Sequence, residues 1–113
     1  MPENNEYSPL TEAVYYILLS LYQPMHGYGI MQNIKELSAG RVSLGAGTLY
    51  GAINTLLEKE WIKPVESEEK SRKKEYQITD IGKEIVKVEI LRLKELVKNG
   101  DDITGGGTND TCC

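Results

Sequence analysis

Histidine occurs once in this chain, at His26, and cysteine only as Cys112-Cys113 at the C-terminal end. These counts exclude a zinc site of three histidines, or of two histidines and a glutamate. They support neither a four-cysteine site nor a disulfide framework. No apolar run approaches the ~20 residues of a membrane span. The N-terminus is acidic, unlike a secretory signal. Material for catalysis is equally scarce. Gly45-Ala46-Gly47-Thr48 precedes a helical pattern but lacks the Lys-Ser/Thr of a phosphate loop. No carboxylates pair at a pocket-like spacing. The expectation is a soluble, cytoplasmic, non-enzymatic chain with no metal and no cofactor. Its 113 residues allow one domain.

The 13 Lys+Arg and 17 Asp+Glu give a net charge of −4, which by itself argues against a nucleic-acid partner. The distribution along the chain argues otherwise. Residues 1–12 hold Glu3, Glu6 and Glu12 and no base, and residues 101–113 hold Asp101, Asp102 and Asp110 and no base. All the bases lie between, and Lys70-Ser71-Arg72-Lys73-Lys74 packs four of them into five residues. The Gly-rich stretch 99–113 carries one large apolar residue, Ile103, too little to offset ordering entropy. Residues 1–7 and 99–113 are therefore expected to be disordered, with an ordered domain over 8–79 and a last helix over 80–98.

Ser8-Pro9 reads as a helix start, with serine as N-cap. Leu10, Val14, Ile17, Leu18 and Leu21 follow at helical spacing, and Pro24 ends the run. Tyr15, Leu19 and Tyr22 fall on a second face, either buried by the same chain or meeting another. A second helix runs from Gly27 to about Leu37, with Ile30, Ile34 and Leu37 inward and Ala39-Gly40 as terminator. Thr48 opens a third helix over Gly47–Lys59. Leu49, Ala52, Ile53, Leu56 and Leu57 make its inner stripe. Its outer face, from Thr48 through Tyr50, Gly51, Asn54 and Thr55 to Glu58, is small, polar and nearly uncharged. That suits a helix lying close against another polar surface better than one facing water.

Trp61-Ile62-Lys63-Pro64-Val65 and Glu75-Tyr76-Gln77-Ile78 read as two strands, with Pro64 confined to an edge. They form a hairpin whose long connection carries the basic cluster. Thr79 caps the last helix, roughly 28 Å long to Lys98. It bears two apolar stripes on nearly opposite sides: Ile81, Ile85, Val88, Leu91 and Leu96 on one, Val86, Ile90, Leu93 and Val97 on the other. A domain this small can cover one stripe. The other predicts a partner surface, most simply a second copy of the chain, with Tyr15, Leu19 and Tyr22 joining Val86, Ile90, Leu93 and Val97 in the interface.

Helix, helix, helix, hairpin, long helix is the order of a winged helix-turn-helix followed by a dimerisation helix, a mainly α (α+β) fold with a two-stranded wing. Pro24-Met25-His26-Gly27-Tyr28, Gly47-Thr48-Leu49-Tyr50, Leu56 to Ile62, Arg72-Lys73-Lys74-Glu75-Tyr76 and Ile78-Thr79-Asp80-Ile81-Gly82 together resemble the PadR family of bacterial transcription regulators. The single C-terminal helix resembles its short subfamily. Gly45-Ala46 stands where the family usually has Ser-Pro, and Glu60 where it usually has glycine. The resemblance implies a sequence-specific, homodimeric repressor of a pseudo-palindromic double-stranded DNA operator, released by a small aromatic or hydrophobic effector. Asn54 and Thr48 are then expected at base edges, with Gly47 at the start of the recognition helix and Tyr50 at a phosphate or thymine methyl. Tyr50 packing on the second helix is the alternative. Tyr28 is expected at a phosphate or half-buried, and His26 as a turn or packing residue. Lys70, Arg72, Lys73 and Lys74 are expected to hold the DNA backbone or minor groove. Tyr15, Leu19, Val86, Ile90 and Leu93 outline an effector pocket, or else a filled dimer core. The competing reading is a winged-helix module that binds protein instead of DNA; the basic wing speaks against it.

Overall fold

A computed structural model describes residues 8–66 and 74–105. Helix α1 is Glu12–Ser20, strand β1 Met25–His26, α2 Gly27–Leu37 and α3 Ala46–Glu58, followed by β2 Ile62–Val65, β3 Glu75–Ile78 and α4 Asp80–Thr104. The strands form one antiparallel sheet in the order β1-β3-β2. Pro64 sits on β2, an edge strand, where its missing N–H costs nothing. The sheet has three strands and not the expected two. Two residues, Met25 and His26, pair with Tyr76 and Glu75, and a strand that short has no periodicity to read.

The helices start where side chains can satisfy free amides. Thr11, not Ser8, caps α1: its hydroxyl accepts from the Val14 amide at 3.1 Å. The chain before it passes near Glu89 of α4, whose ionised form the Leu10 backbone favours. His26 caps α2, its Nδ1 accepting from the Gly29 amide at 3.1 Å. Gly45 caps α3 with no side-chain hydrogen bond, so α3 begins at Ala46, one residue before the expected Gly47. Thr79 caps α4 through the Gly82 amide. Glu60 follows α3 with φ +65°, the left-handed conformation that glycine adopts without penalty and other residues at about 1 kcal/mol.

Nine large side chains, including Ile17, Leu18, Ile30, Ile34, Leu49, Ile53 and Ile62, lose nearly all contact with solvent. Leu37, expected inward, is 49% exposed: the last turn of α2 overshoots the core, and the chain turns back through Ala39 and Gly40, both at positive φ. On α4 neither apolar stripe packs inward as a unit. The buried residues are Gly82, Ile85, Val86 and Glu89, the facing edges of the two stripes and the gap between them. Ile81 is accordingly 51% exposed, while Val86, expected at a partner surface, is buried in the chain's own core. Helix α4 also runs past Asn99, through Asp101 and Asp102, before the left-handed Gly105 ends it. At 25 residues it is about 37 Å long. Its distal half projects, and the radius of gyration is 16.6 Å against about 13 Å for a compact chain of this length. The expected disorder of 99–113 is thus corrected for 99–104. Residues 1–7 and 106–113, with Cys112-Cys113, lie outside the described residues.

Glu89 is buried on α4 and paired within its own helix. Arg92 Nε and Nη2 donate to its two carboxylate oxygens at 2.9 and 2.7 Å, and the Leu10 backbone also favours its ionised form. The Arg92 bonds hold its carboxyl below the ordinary value of 4.5, against a smaller opposing effect of burial. A carboxylate depressed on folding stabilises above its unfolded pKa and loses that contribution as pH falls through the folded value. Glu89→Gln is expected to lower stability by about 2 kcal/mol at pH 7. Its stability should fall less steeply than the parent's on acidification below pH 4.5; denaturant melts across that range check both.

Candidate nucleic-acid interface

Helices α2 and α3 pack against each other through Ile30, Ile34, Leu49 and Ile53, all buried. This turns the opposite side of α3 outward. Thr48, Tyr50, Gly51, Asn54, Thr55 and Glu58 are all exposed, as their spacing predicts. A Cβ built at Gly45, Gly47 or Gly51 would meet nothing within 4 Å. Nothing in the fold requires these glycines, and one in mid-helix costs roughly 1 kcal/mol relative to alanine. The first turn of α3 carries neither a side-chain cap nor an acid, so its amide ends remain available to an anion.

Tyr50 does two things. It is 43% exposed, yet its ring lies over the first residue of α2. A Cβ at Gly27 would stand 2.1 Å from the Tyr50 hydroxyl. The absence of a side chain at Gly27 is therefore what seats Tyr50 and lets α3 come this close to α2. Tyr76 of β3 lies behind it: burial first, and Tyr50 second, hold the Tyr76 phenol above its ordinary value. The sequence offered packing on the second helix as the alternative for Tyr50, and the structure places the ring there. Tyr28 is 60% exposed beside Gly27. The Gly29 amide of α2 is already taken by His26, which leaves the first amides of that helix for a phosphate. The capping role of His26 had no sequence signal beyond its place before Gly27.

Of the basic cluster, Lys74 is described and exposed, immediately before β3. Lys70, Arg72 and Lys73 lie outside the described residues.

A second surface lies along the projecting half of α4. Tyr15 of α1 and Ile90, Leu93 and Val97 of α4 line an open groove of about 810 Å³, with Lys94, Lys98, Asp101 and Asp102 at its rim. Three of the five residues expected to outline an effector pocket meet there. Val86 does not, being in the core, and Leu19 packs partly buried against that core. Tyr22 is 43% exposed, and the Lys83 ammonium sits 5.7 Å from its ring centroid. Asp101 and Asp102 were missed because composition placed them in a tail. Among the described residues there is no cluster of three metal-ligating side chains, and no helix is long and apolar enough to cross a membrane.

Two packed helices, the second with an exposed polar face, and an antiparallel sheet extending into a hairpin define a winged-helix protein. The chain belongs to the PadR-like family of transcriptional regulators, whose family model matches residues 16–88. It is similar to a transcriptional regulator from Clostridium thermocellum (22% identity, TM-score 0.61, 87% of this chain and 93% of that one). It is also similar to a PadR family regulator from Eggerthella lenta (23% identity, TM-score 0.66, 85% and 82%). Bacillus subtilis PadR, solved in complex with operator DNA, is 27% identical with a TM-score of 0.56, over 69% of this chain and 46% of that one. A 37.1 kDa uncharacterized protein in a transposon of Streptomyces fradiae is 39% identical over 66 residues, 58% of this chain. The matched segment is 18% of that relative's length.

Proposed function

We propose that this chain is a sequence-specific, double-stranded DNA-binding repressor that acts as a homodimer on a pseudo-palindromic operator. The outer face of α3 carries the proposal: it is exposed, uncapped, uncharged through its first three turns, and built from glycine and small hydrogen-bonding residues. Such a face fits the floor of a major groove, where asparagine pairs bidentately with adenine and a threonine methyl meets a thymine methyl. Asn54 and Thr48 read base edges. Gly47 and Gly51 let the backbone approach. Tyr28 and the wing bases, Lys70, Arg72, Lys73 and Lys74, hold phosphate. Tyr50 contributes its exposed edge to phosphate while its ring stays seated on Gly27. The similarity to a PadR solved with operator DNA supports this reading.

Footprinting on the gene's own upstream region tests it, and protection of two half-sites about 34 Å apart is the expected result. Asn54→Ala should weaken operator binding by roughly 10- to 100-fold and relax preference at one base pair. Affinity for unrelated DNA should stay unchanged in parallel gel shifts. No protection and no shift would overturn the proposal.

The groove beside Tyr15, Ile90 and Leu93, closed by a second copy, is where a small aromatic or hydrophobic effector would bind. Release follows only if the effector prefers one spacing of the two recognition helices over the other. A thermal-shift screen with planar aromatics that stabilises the dimer and lowers operator affinity would support release. A screen that moves nothing counts against it.

A further inference from the structure

Asn54 is set apart by its neighbours on α3. At about 100° per residue, Gly47, Gly51, Asn54 and Glu58 fall within about 60° of one another and make one exposed stripe. Helical side chains lean toward the N-terminus, so the Asn54 amide leans over the turn that holds Gly51 and Gly47. Neither glycine sets a side chain beside it, and a Cβ at either would meet nothing within 4 Å. The other polar groups of this face are committed or one-sided. The Thr55 hydroxyl donates to the Gly51 carbonyl at 3.3 Å, Tyr50 is seated on Gly27, and the Glu58 carboxylate only accepts. Asn33 of α2 spends its amide on the Ser20 hydroxyl at 2.9 Å. Among the described residues, nothing engages the Asn54 amide in that way.

A free amide offers one acceptor and one donor side by side, the pattern that adenine matches with its N6 hydrogen and N7. The N6 amino group carries two hydrogens. One is held by the thymine of the base pair, and the other points into the major groove. A methyl group on N6 must take the groove position, because a methyl aimed at the thymine would break the base pair. It removes the hydrogen that the Asn54 Oδ1 would accept and puts a carbon in its place. We infer that α3 senses the methylation state of the operator as well as its sequence, with Asn54 accepting adenine and rejecting N6-methyladenine. Gly47 and Gly51 have no side chain to take over the lost bonds, and the acceptor-only Glu58 finds no hydrogen to bind. The whole contact is therefore lost on methylation, and the operator is freed without an effector.

Sensing of this kind rests on the operator contact proposed above, and the test separates the two. Duplexes of the footprinted operator carry N6-methyladenine at one adenine position at a time, in both half-sites, and are titrated with the full chain and with Asn54→Ala. At one position the methyl group should weaken the parent about 30-fold or more, and elsewhere it should change affinity less than about threefold. Asn54→Ala, weaker on the plain operator, should bind plain and methylated duplexes within about threefold of each other. At the same position 7-deazaadenine, which lacks the N7 acceptor and adds no bulk, should weaken the parent about tenfold and leave the variant unmoved. Asn54→Ser, confirmed helical by circular dichroism, gives the same comparison should alanine disturb α3. A parent indifferent to every methylated position overturns the inference and leaves operator binding standing. So does a methyl effect of equal size in parent and variant. A parent that protects no site overturns both.

Discussion

Gly82→Ala is expected to lower the unfolding midpoint by about 15 °C, corresponding to roughly 3 kcal/mol in a domain of this size. Gly82 lies in the first turn of α4, where the helix crosses the chain between α3 and β2. A Cβ at this position would stand 2.2 Å from the Trp61 carbonyl oxygen and 2.6 Å from Ile78 Cγ1. The oxygen belongs to backbone, and it also lies 3.0 Å from the Thr79 hydroxyl and accepts the Thr79 amide. It cannot step aside without breaking the cap of α4. Gly100→Ala is the control, on the same helix: a Cβ there meets nothing within 4 Å, so the change should be neutral or stabilise by up to ~1 kcal/mol. Thermal melts of the two variants give the comparison. Equal midpoints would mean that the crossing of α4 over Trp61 is looser than its geometry.

The largest effect on binding is expected from the wing. With Arg72, Lys73 and Lys74 all changed to alanine, a dimer loses up to six phosphate-contacting bases. Affinity for every DNA sequence should fall roughly 100-fold or more at about 150 mM salt, and the dependence of log K on log salt should flatten by about five. Operator and random DNA should lose affinity alike, because phosphate contacts carry no sequence information. This separates the wing from Asn54, whose loss should be felt at the operator alone. Binding titrations at several salt concentrations decide it. If the triple variant keeps the parent's affinity and slope, the wing does not hold DNA.

The parts legible in advance were those where one residue acts on its immediate neighbours. The bounds of α2, Gly27 and Leu37, match the expectation, because Gly27 and Ala39-Gly40 punctuate it. The two faces of α3 followed from spacing alone. The end of α4 did not. Asn99-Gly100-Asp101-Asp102 has the composition of a stop, yet the helix persists: Lys98 pairs with Asp102, the Thr104 hydroxyl returns to the Gly100 carbonyl, and Gly105 supplies the left-handed cap. Each contribution is a few tenths of a kcal/mol, small enough that composition outweighs it in any reading by residue type. Glu60 is the converse case. A residue disfavoured at positive φ holds that conformation because Trp61 beyond it is buried and its own carbonyl receives the Thr79 hydroxyl.

The amino-acid sequence by itself determined that there are four helices and roughly where each lies, which face of α3 is chemically suited to a polar partner, and that α4 carries more apolar surface than this chain can cover. These are consequences of period and residue type, and both are local. Tertiary structure decided which side of α4 turns inward, placing Val86 in the core and leaving Ile81 outside. It seated Tyr50 on Gly27, made a strand of Met25-His26, and set Asp101 on the rim of a groove with Tyr15. Each depends on a contact between residues far apart in the chain, and no periodicity within one segment encodes what the segment will meet.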